Sequence, residues 1–567
     1  MTALTLAMIV MVQSTAVQLD AADSAALLRS LRGEQERFER VRRDHLPLGD
    51  GNSADFCDET VGLWCFTHGD PNDMWRPPPE DSAVTLARDT LLARLSRAHG
   101  LLREDGWIAG QRVRYLVDAK RARSAEDAAR QCRPAASWWC AALGGYAAHA
   151  AEHYDRAESA FDSALAAMDG KRRCAWRDIS PLLGTAPSAF YRDRDCASRV
   201  DVEQAFWSLA DPLLLISGNE RRAEHFARRV QVEFETVAPS ISPGTWSPAF
   251  APWTIRYGWP AGWLRARQNS ILSSGEPRVI TEYPTPTQVF EPAWKLVEHP
   301  ESLTAASLPL RFRGARTGYV PTYADRFDTL AYQVGIFRQS NMAPLIVAAY
   351  DFTSDSVPAS AVVEAGLFVS GDRGPDYFAR HHQQARGSVT LPALPQPGLL
   401  SLEVYSAALR RAGRVRYALP LAPVPIGRFH LSDLLLLVAS DERPASLDEA
   451  MPLARGTTVI RQGETVGLYW EIYNADARVP VRVSLKLVRT DRGFLRKAAQ
   501  ALGLAGDDPP AISLQWEVIG TPGANLIPGT LALDLARHDP GRYTLHLEVT
   551  SRDRGTAGVH RELTIRR

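Results

Sequence analysis

The stretch that decides the fold begins Phe206-Trp207-Ser208-Leu209-Ala210-Asp211-Pro212. It continues through Asn219-Glu220 to Val230 and ends on Trp253-Thr254-Ile255-Arg256-Tyr257-Gly258. Before it the apolar residues recur every three or four positions, the period of helices. After it they recur every two, the period of strands. Asp211-Pro212 reads as a turn, because the residue before proline leaves the helical region. Asn219 reads as the N-cap of a helix carrying Glu220, Glu224 and Arg228. Glu224 and Arg228 have the spacing of an ion pair on one helical face. These charges read as a network that fixes the helix rather than as catalytic groups.

Upstream, residues 83–168 keep a helical period. The better half runs through Leu143, Tyr146, Ala147, Ala150, Tyr154, Ala157, Phe161, Ala164, Leu165 and Met168. Ala157-x3-Phe161-x2-Ala164 resembles the second helix of a tetratricopeptide repeat, and Gly145 occupies the small position of its first helix. Small residues let paired helices approach, and Phe161 fills the gap to the next pair. Repeats of this kind present a concave surface to a partner. Residues 23–44 are charged and helical in pattern, and residues 46–80 form a long loop rich in Gly, Asp and Pro.

Downstream, 344–350, 365–369, 399–407 and 415–421 read as strands of a small antiparallel sandwich, closed by Pro420, Pro423 and Pro425. The last domain alternates more clearly. Val466, Leu468, Trp470 and Ile472 alternate with Gly467, Tyr469, Glu471 and Tyr473, and Val481 to Leu487 and Tyr543 to Val549 repeat the pattern. One face buried and one wet is the expectation for such strands. Asp539-Pro540-Gly541-Arg542-Tyr543 is a turn and strand start of the immunoglobulin-like kind. Residues 490–510 read as a surface insertion.

The stretch from Phe206 resembles the GWxTD-domain proteins of the bacterial envelope. The matching residues are Phe206, Trp207, Asp211, Pro212, Asn219, Glu220, Glu224 and Arg228, followed by Arg256, Tyr257 and Gly258 in a segment read as a strand and turn. The resemblance covers about residues 202–294. The Gly-Trp-x-Thr-Asp that names the family is not intact. The nearest segment is Gly244-Thr245-Trp246-Ser247-Pro248, so the chain reads as a divergent member.

The whole chain sets further bounds. Its 567 residues predict roughly three or four domains. Lys plus Arg and Asp plus Glu are each 65, a balance that argues against a nucleic-acid binder, which needs an electropositive face. Leu4 to Val17 is an apolar run of signal-peptide length, with Ser14-Thr15-Ala16 as a cleavage site and no Lys or Arg before it. No other stretch is long and apolar enough to span a membrane. The six cysteines fall into three local pairs, Cys57 with Cys65, Cys132 with Cys140, and Cys174 with Cys196. Their spacing suits disulfides in an oxidising compartment and lacks a zinc pattern. The predicted localisation is therefore periplasmic or secreted.

The expected architecture is multidomain α+β. It comprises a signal peptide (1–22), a helix and disulfide-stapled loop (23–80), helical repeats (81–200), a GWxTD-like core (201–335), a β-sandwich (336–425) and an immunoglobulin-like β-sandwich (426–567). No nucleophile elbow, zinc-protease helix, P-loop or dinucleotide fingerprint is present. His149 and His153 lie four apart on one helix but lack a completing carboxylate motif. His381-His382 reads as an exposed loop pair. Glu203, Asp211, Glu220 and Glu224 contain the makings of a glycosidase carboxylate pair, but the nearby arginines point to ion pairing. No cofactor or metal is implied. The expected function is a non-enzymatic interaction or scaffold protein of the cell envelope, whose partners are envelope proteins or peptides bound through the helical repeats. The alternative is a carbohydrate-binding or carbohydrate-processing protein that stacks a glycan on Trp246, Trp253, Trp259 and Trp263.

Overall fold

A computed structural model describes residues 20–49, 59–61, 64–66, 77–133, 137–238, 240, 250–260, 262–266, 279–282, 288–308, 310, 318–371, 374–393, 396–421, 423–441, 443–490, 511–521 and 526–567. The apolar run Leu4 to Val17, Cys57, Trp246 and residues 491–510 lie outside this set. The chain has a helical N-terminal region and a β-rich C-terminal region with several sheets. It forms two compact units. One comprises Met1–Ala189, Arg222–Pro286 and Gly314–Tyr319, and the other Phe190–Arg221, Thr287–Arg313 and Val320–Arg567.

In chain order the longer helices are α1 (Ala21–Asp44), α2 (Ser82–Leu101), α3 (Gly106–Asp118), α4 (Ala122–Arg130), α5 (Ser137–Ala150), α6 (Tyr154–Ala167), α7 (Gly170–Arg177), α8 (Thr185–Asp193), α9 (Val200–Ala210), α10 (Glu220–Val237) and α11 (Ala251–Tyr257). Several start on aspartates that cap them. Asp20, Asp81, Asp105 and Asp169 each accept a backbone N–H of the first turn, which satisfies a donor the helix itself leaves open.

In the first unit Leu31, Phe38, Leu91, Leu95, Ile108 and Tyr115 form one apolar core. A buried polar set ties the same helices together. Tyr115 donates to Glu39 (2.7 Å), Gln35 donates to Tyr115 (2.9 Å), and Arg88 and Arg42 pair with Asp118. Helices α5 and α6 pack as a hairpin around Gly145. A Cβ there would stand 2.7 Å from the Phe161 ring, so only glycine lets the ring seat. Phe161 in turn meets Phe226 of α10 at 5.5 Å between centroids. Cys132 and Cys140 are joined by a disulfide between α4 and α5, and Cys174 of α7 is also in a disulfide. A three-stranded sheet, Leu48–Gly49 beside Gly262–Ala266 beside Val279–Glu282, completes the unit.

The second unit holds two pairs of sheets. In the first pair, a five-stranded sheet (Gly374–Gln384, Val362–Gly371, Gly398–Ser406, Arg411–Leu419, Arg326–Thr329) faces a three-stranded one (Arg386–Pro392, Pro344–Asp351, Ala331–Arg338). Both contribute to one core, with Ala365, Leu367, Leu402 and Val404 from the first and Ile346, Ala348 and Val389 from the second. In the second pair, Thr465–Tyr473 is flanked by His430–Leu431 and Leu435–Val438 on one edge and by Leu526–Asp534 on the other. The opposing sheet runs Val459–Arg461, Gly555–Arg566, Gly541–Ser551, Val481–Arg489, Ile512–Val518. Trp470, Leu485 and Leu547 meet in the core between them.

Three expectations need correction. Trp253 to Gly258 is not a strand and turn. It is the end of α11, with Pro252 in its first turn and Gly258, at φ +76°, ending it. This is the usual placing of proline and glycine at helix ends. The face of Thr465–Tyr473 expected to be wet is buried. Tyr469 packs with Phe337, Val347, Leu435 and Leu437, and the Tyr469 hydroxyl donates to Glu471 (2.7 Å). The strand is covered on both faces because its second face meets the first sheet pair. His381 and His382 lie on the edge strand Gly374–Gln384 rather than in a loop, and both are exposed.

Candidate functional site

The signature residues gather in two places, and in each a buried arginine reads the carbonyls at the end of a helix. The last carbonyls of a helix have no partner within it and carry its negative partial charge. A guanidinium offers five donors in a fixed fork to meet them.

In the first unit, Arg228 of α10 donates to Ile255 O (3.0 Å) and Arg256 O (2.6 Å) at the end of α11, and to Gly318 O (2.5 Å). A Cβ on Gly258 would stand 3.0 Å from the same guanidinium. Arg228 also pairs with Glu224, four residues back. The second oxygen of Glu224 meets His149 Nε2 at 3.1 Å. Burial works against the charge on Glu224, but Arg228 and His149 outweigh it and hold the carboxyl well below its usual range. Arg256 donates to Pro181 O, and Tyr257 is buried with its ring 4.8 Å from Trp253.

In the second unit, α9 ends on Asp211-Pro212. Arg414 donates to the carbonyls of Asp211 and Pro212 (2.5 and 2.8 Å), and Arg416 donates to Asp211 O (2.7 Å). The two arginines alternate with Val415, which enters the sheet core, so both point to the opposite face. The neighbouring strand answers them, with Ser401 opposite Arg416 and Glu403 opposite Arg414. Arg416 pairs with Glu403 at 2.7 Å, both side chains fully buried, and Glu403 also accepts the Leu215 N–H (3.0 Å). Burial and the adjacent Arg416 press the Arg414 guanidinium below its ordinary value. Asn219 donates to Trp207 O (2.7 Å), and the Phe206 and Trp207 rings stand edge to face at 4.9 Å. Glu220 accepts from the Tyr323 hydroxyl. Burial and the Asp211 charge push its carboxyl well above the usual range.

Glu203 accepts from the Tyr191 hydroxyl (2.7 Å) and is buried, as are Asp211 and Glu220. Glycoside hydrolysis needs two carboxyls facing a cleft wide enough for a sugar; Glu203 and Glu220 accept from tyrosine hydroxyls and Glu224 pairs with Arg228. No group of three or more His, Cys, Asp or Glu is placed to hold a metal among the described residues. His149 and His153 do not share a helix, because α5 ends at Ala150 and His153 stands just before α6, where it meets Glu126 at 3.0 Å. None of the described helices is long and apolar enough to cross a membrane.

An open cleft of about 300 Å³ lies on the helices of the first unit. Helix α4 contributes Glu126, Ala129 and Arg130, α5 contributes Cys140, Gly144 and Ala148, and α6 contributes Arg156 and Ala160. The floor is made of small side chains and the rim of charged ones. The Cys132–Cys140 disulfide fixes one wall. Sequence reading anticipated a concave helical surface but not these residues. The signal was present in the run of alanines on α4, α5 and α6. Arg414, Arg416 and Glu403 were missed altogether.

No family model matches the chain, and no curated protein matches it. Among solved structures it is similar to a glycosyl hydrolase family 2 member from Bacteroides cellulosilyticus (9% identity, TM-score 0.18, 39% of this chain and 28% of that one). It is also similar to red sea bream transglutaminase (10%, TM-score 0.14, 57% and 43%) and to the FN1–FN3 domains of chicken CNTN1 (9%, TM-score 0.15, 53% and 84%). The chain thus spans less than half the length of the two enzymes. At these TM-scores none of the likenesses bears on function.

Proposed function

We propose that this is an exported interaction protein of the bacterial cell envelope, periplasmic or secreted and non-enzymatic, and that it binds an extended peptide segment of a partner in the α4–α6 cleft. On this reading the helices are tetratricopeptide-like, the signature residues belong to a divergent GWxTD-like core, and the last sheet pair is an immunoglobulin-like module. The observation that carries the proposal is the cleft itself. It is open, floored by Ala129, Gly144, Ala148 and Ala160, and rimmed by Glu126, Arg130 and Arg156. Small floor residues admit a partner's apolar side chain, and the rim offers donors and an acceptor to its backbone. The signature charges support the non-enzymatic reading, because Arg228 binds the carbonyls at the end of α11, Glu224 pairs with Arg228, and Glu220 accepts from the Tyr323 hydroxyl.

The carbohydrate alternative has weaker support. Trp253, Trp259 and Trp263 are half-buried. Arg114 lies over the Trp259 ring and Arg42 over the Trp263 ring, each at 5.7 Å. A sugar would compete with these guanidinium groups for the ring faces. The test is capture of partners from native envelope extract with the oxidised full chain and with Ala160→Trp, beside a glycan array. A partner lost in Ala160→Trp supports the reading. Glycan binding that survives this change overturns it.

A further inference from the structure

The outer face of the last five-stranded sheet carries a histidine pair that no part of the proposed function uses. Strands Gly541–Ser551 and Gly555–Arg566 run antiparallel, with His546 directly opposite His560. Their inner neighbours Leu545 and Leu547 enter the core, so alternation turns both histidines outward. Both are exposed, and their rings stand 6.3 Å apart, 34° from coplanar.

We propose that His546 and His560 form a two-histidine site for a divalent transition cation of the zinc or copper class, completed by water. Directly opposed residues on antiparallel strands have Cβ atoms about 4.5–5.5 Å apart. Imidazole nitrogen binds zinc at about 2.0–2.1 Å. Two opposed rings can therefore close on one ion by side-chain rotation alone, with the backbone already set by the ladder. Imidazole suits zinc and copper, whereas calcium and magnesium take oxygen ligands.

The surroundings tune the site in both directions. Glu548 and Glu562 each lie two residues along from a histidine, on the same face, and add negative charge. Lys486 stands opposite His546 on the third strand and opposes a cation. Burial, His560 and Lys486 lower the His546 pKa, which favours the neutral imidazole that ligates.

Calorimetric titration of the full oxidised chain with Zn²⁺, in a non-chelating and slightly alkaline buffer, tests this. The expected result is one equivalent bound, weakened about tenfold or more in His546→Ala and in His560→Ala. Lys486→Ser should tighten binding, and His382→Ala should leave it unchanged. Mg²⁺ should give no binding. Both histidines are exposed, so far-UV circular dichroism should show the variants folded. Undiminished affinity in both single variants, or no binding by the wild type, overturns the proposal.

Discussion

Glu220 and Glu224 stand one turn apart on α10, and their surroundings drive them in opposite directions. Glu224 faces Arg228 and His149, and its carboxyl stays ionised far below the usual range. Glu220 is buried beside Asp211, accepts from the Tyr323 hydroxyl, and holds its proton well above that range. Identical residues at helical spacing are therefore not equivalent. What decides each is the partner it meets: Arg228 one turn on, with His149, for Glu224, and Asp211 with the Tyr323 hydroxyl for Glu220. The arginine clamps differ in the same way. Arg228 has its own carboxylate, while in the second clamp Glu403 pairs with Arg416 and Arg414 binds the Asp211 and Pro212 carbonyls.

The largest loss of stability is expected at Arg416. Arg416→Ala leaves Glu403 buried without its cation and should cost about 3–5 kcal/mol, seen as a large fall in the urea midpoint. Glu224→Gln should cost roughly 2–3 kcal/mol near neutral pH, because Arg228 loses a charged acceptor while keeping its carbonyls. Gly258→Ala places a β-carbon at φ +76° against the Arg228 guanidinium, and should cost about 1–2 kcal/mol. Glu220→Gln should change the midpoint least, by less than about 1 kcal/mol, because it replaces a neutral acid with a neutral amide.

The sequence made some of this legible. The helical period of residues 83–168 appears as α2 to α6, and the pairing of Gly145 with Phe161 could be read from the spacing of small and large residues. Strands Pro344–Asp351, Val362–Gly371, Gly398–Ser406, Arg411–Leu419, Thr465–Tyr473, Val481–Arg489 and Gly541–Ser551 followed from period-two alternation, whereas Ala331–Arg338, Gly374–Gln384, Arg386–Pro392 and Gly555–Arg566 did not. What escaped was set by contacts far along the chain. Trp253-Thr254-Ile255-Arg256-Tyr257 is rich in β-branched and aromatic residues and reads as strand. Its helix ends where a distant arginine accepts the task of binding its carbonyls. Arg414 and Arg416 lie about two hundred positions from the Asp211 carbonyl they bind, and no local spacing reveals that. The wet-looking face of Thr465–Tyr473 hides a carboxyl between two tyrosines, because a sheet that covers another sheet keeps the same alternation as one that faces water.

Glu224 stabilises the fold as a carboxylate against Arg228 and His149, and Glu220 as a neutral acid beside the Tyr323 hydroxyl. The most direct measurement is the urea midpoint of the wild type, Glu220→Gln and Glu224→Gln across the acid to neutral range. Glu224 has a depressed pKa, so its stabilisation is present above the ordinary carboxylate range and is lost as pH falls through it. The deficit of Glu224→Gln should therefore shrink on acidification. Glu220 has a raised pKa, so its contribution is full below the ordinary range and is lost as pH rises. Glu220→Gln should remove that decline and match or exceed the wild type at the higher pH. Equal deficits in the two variants at every pH would contradict the account.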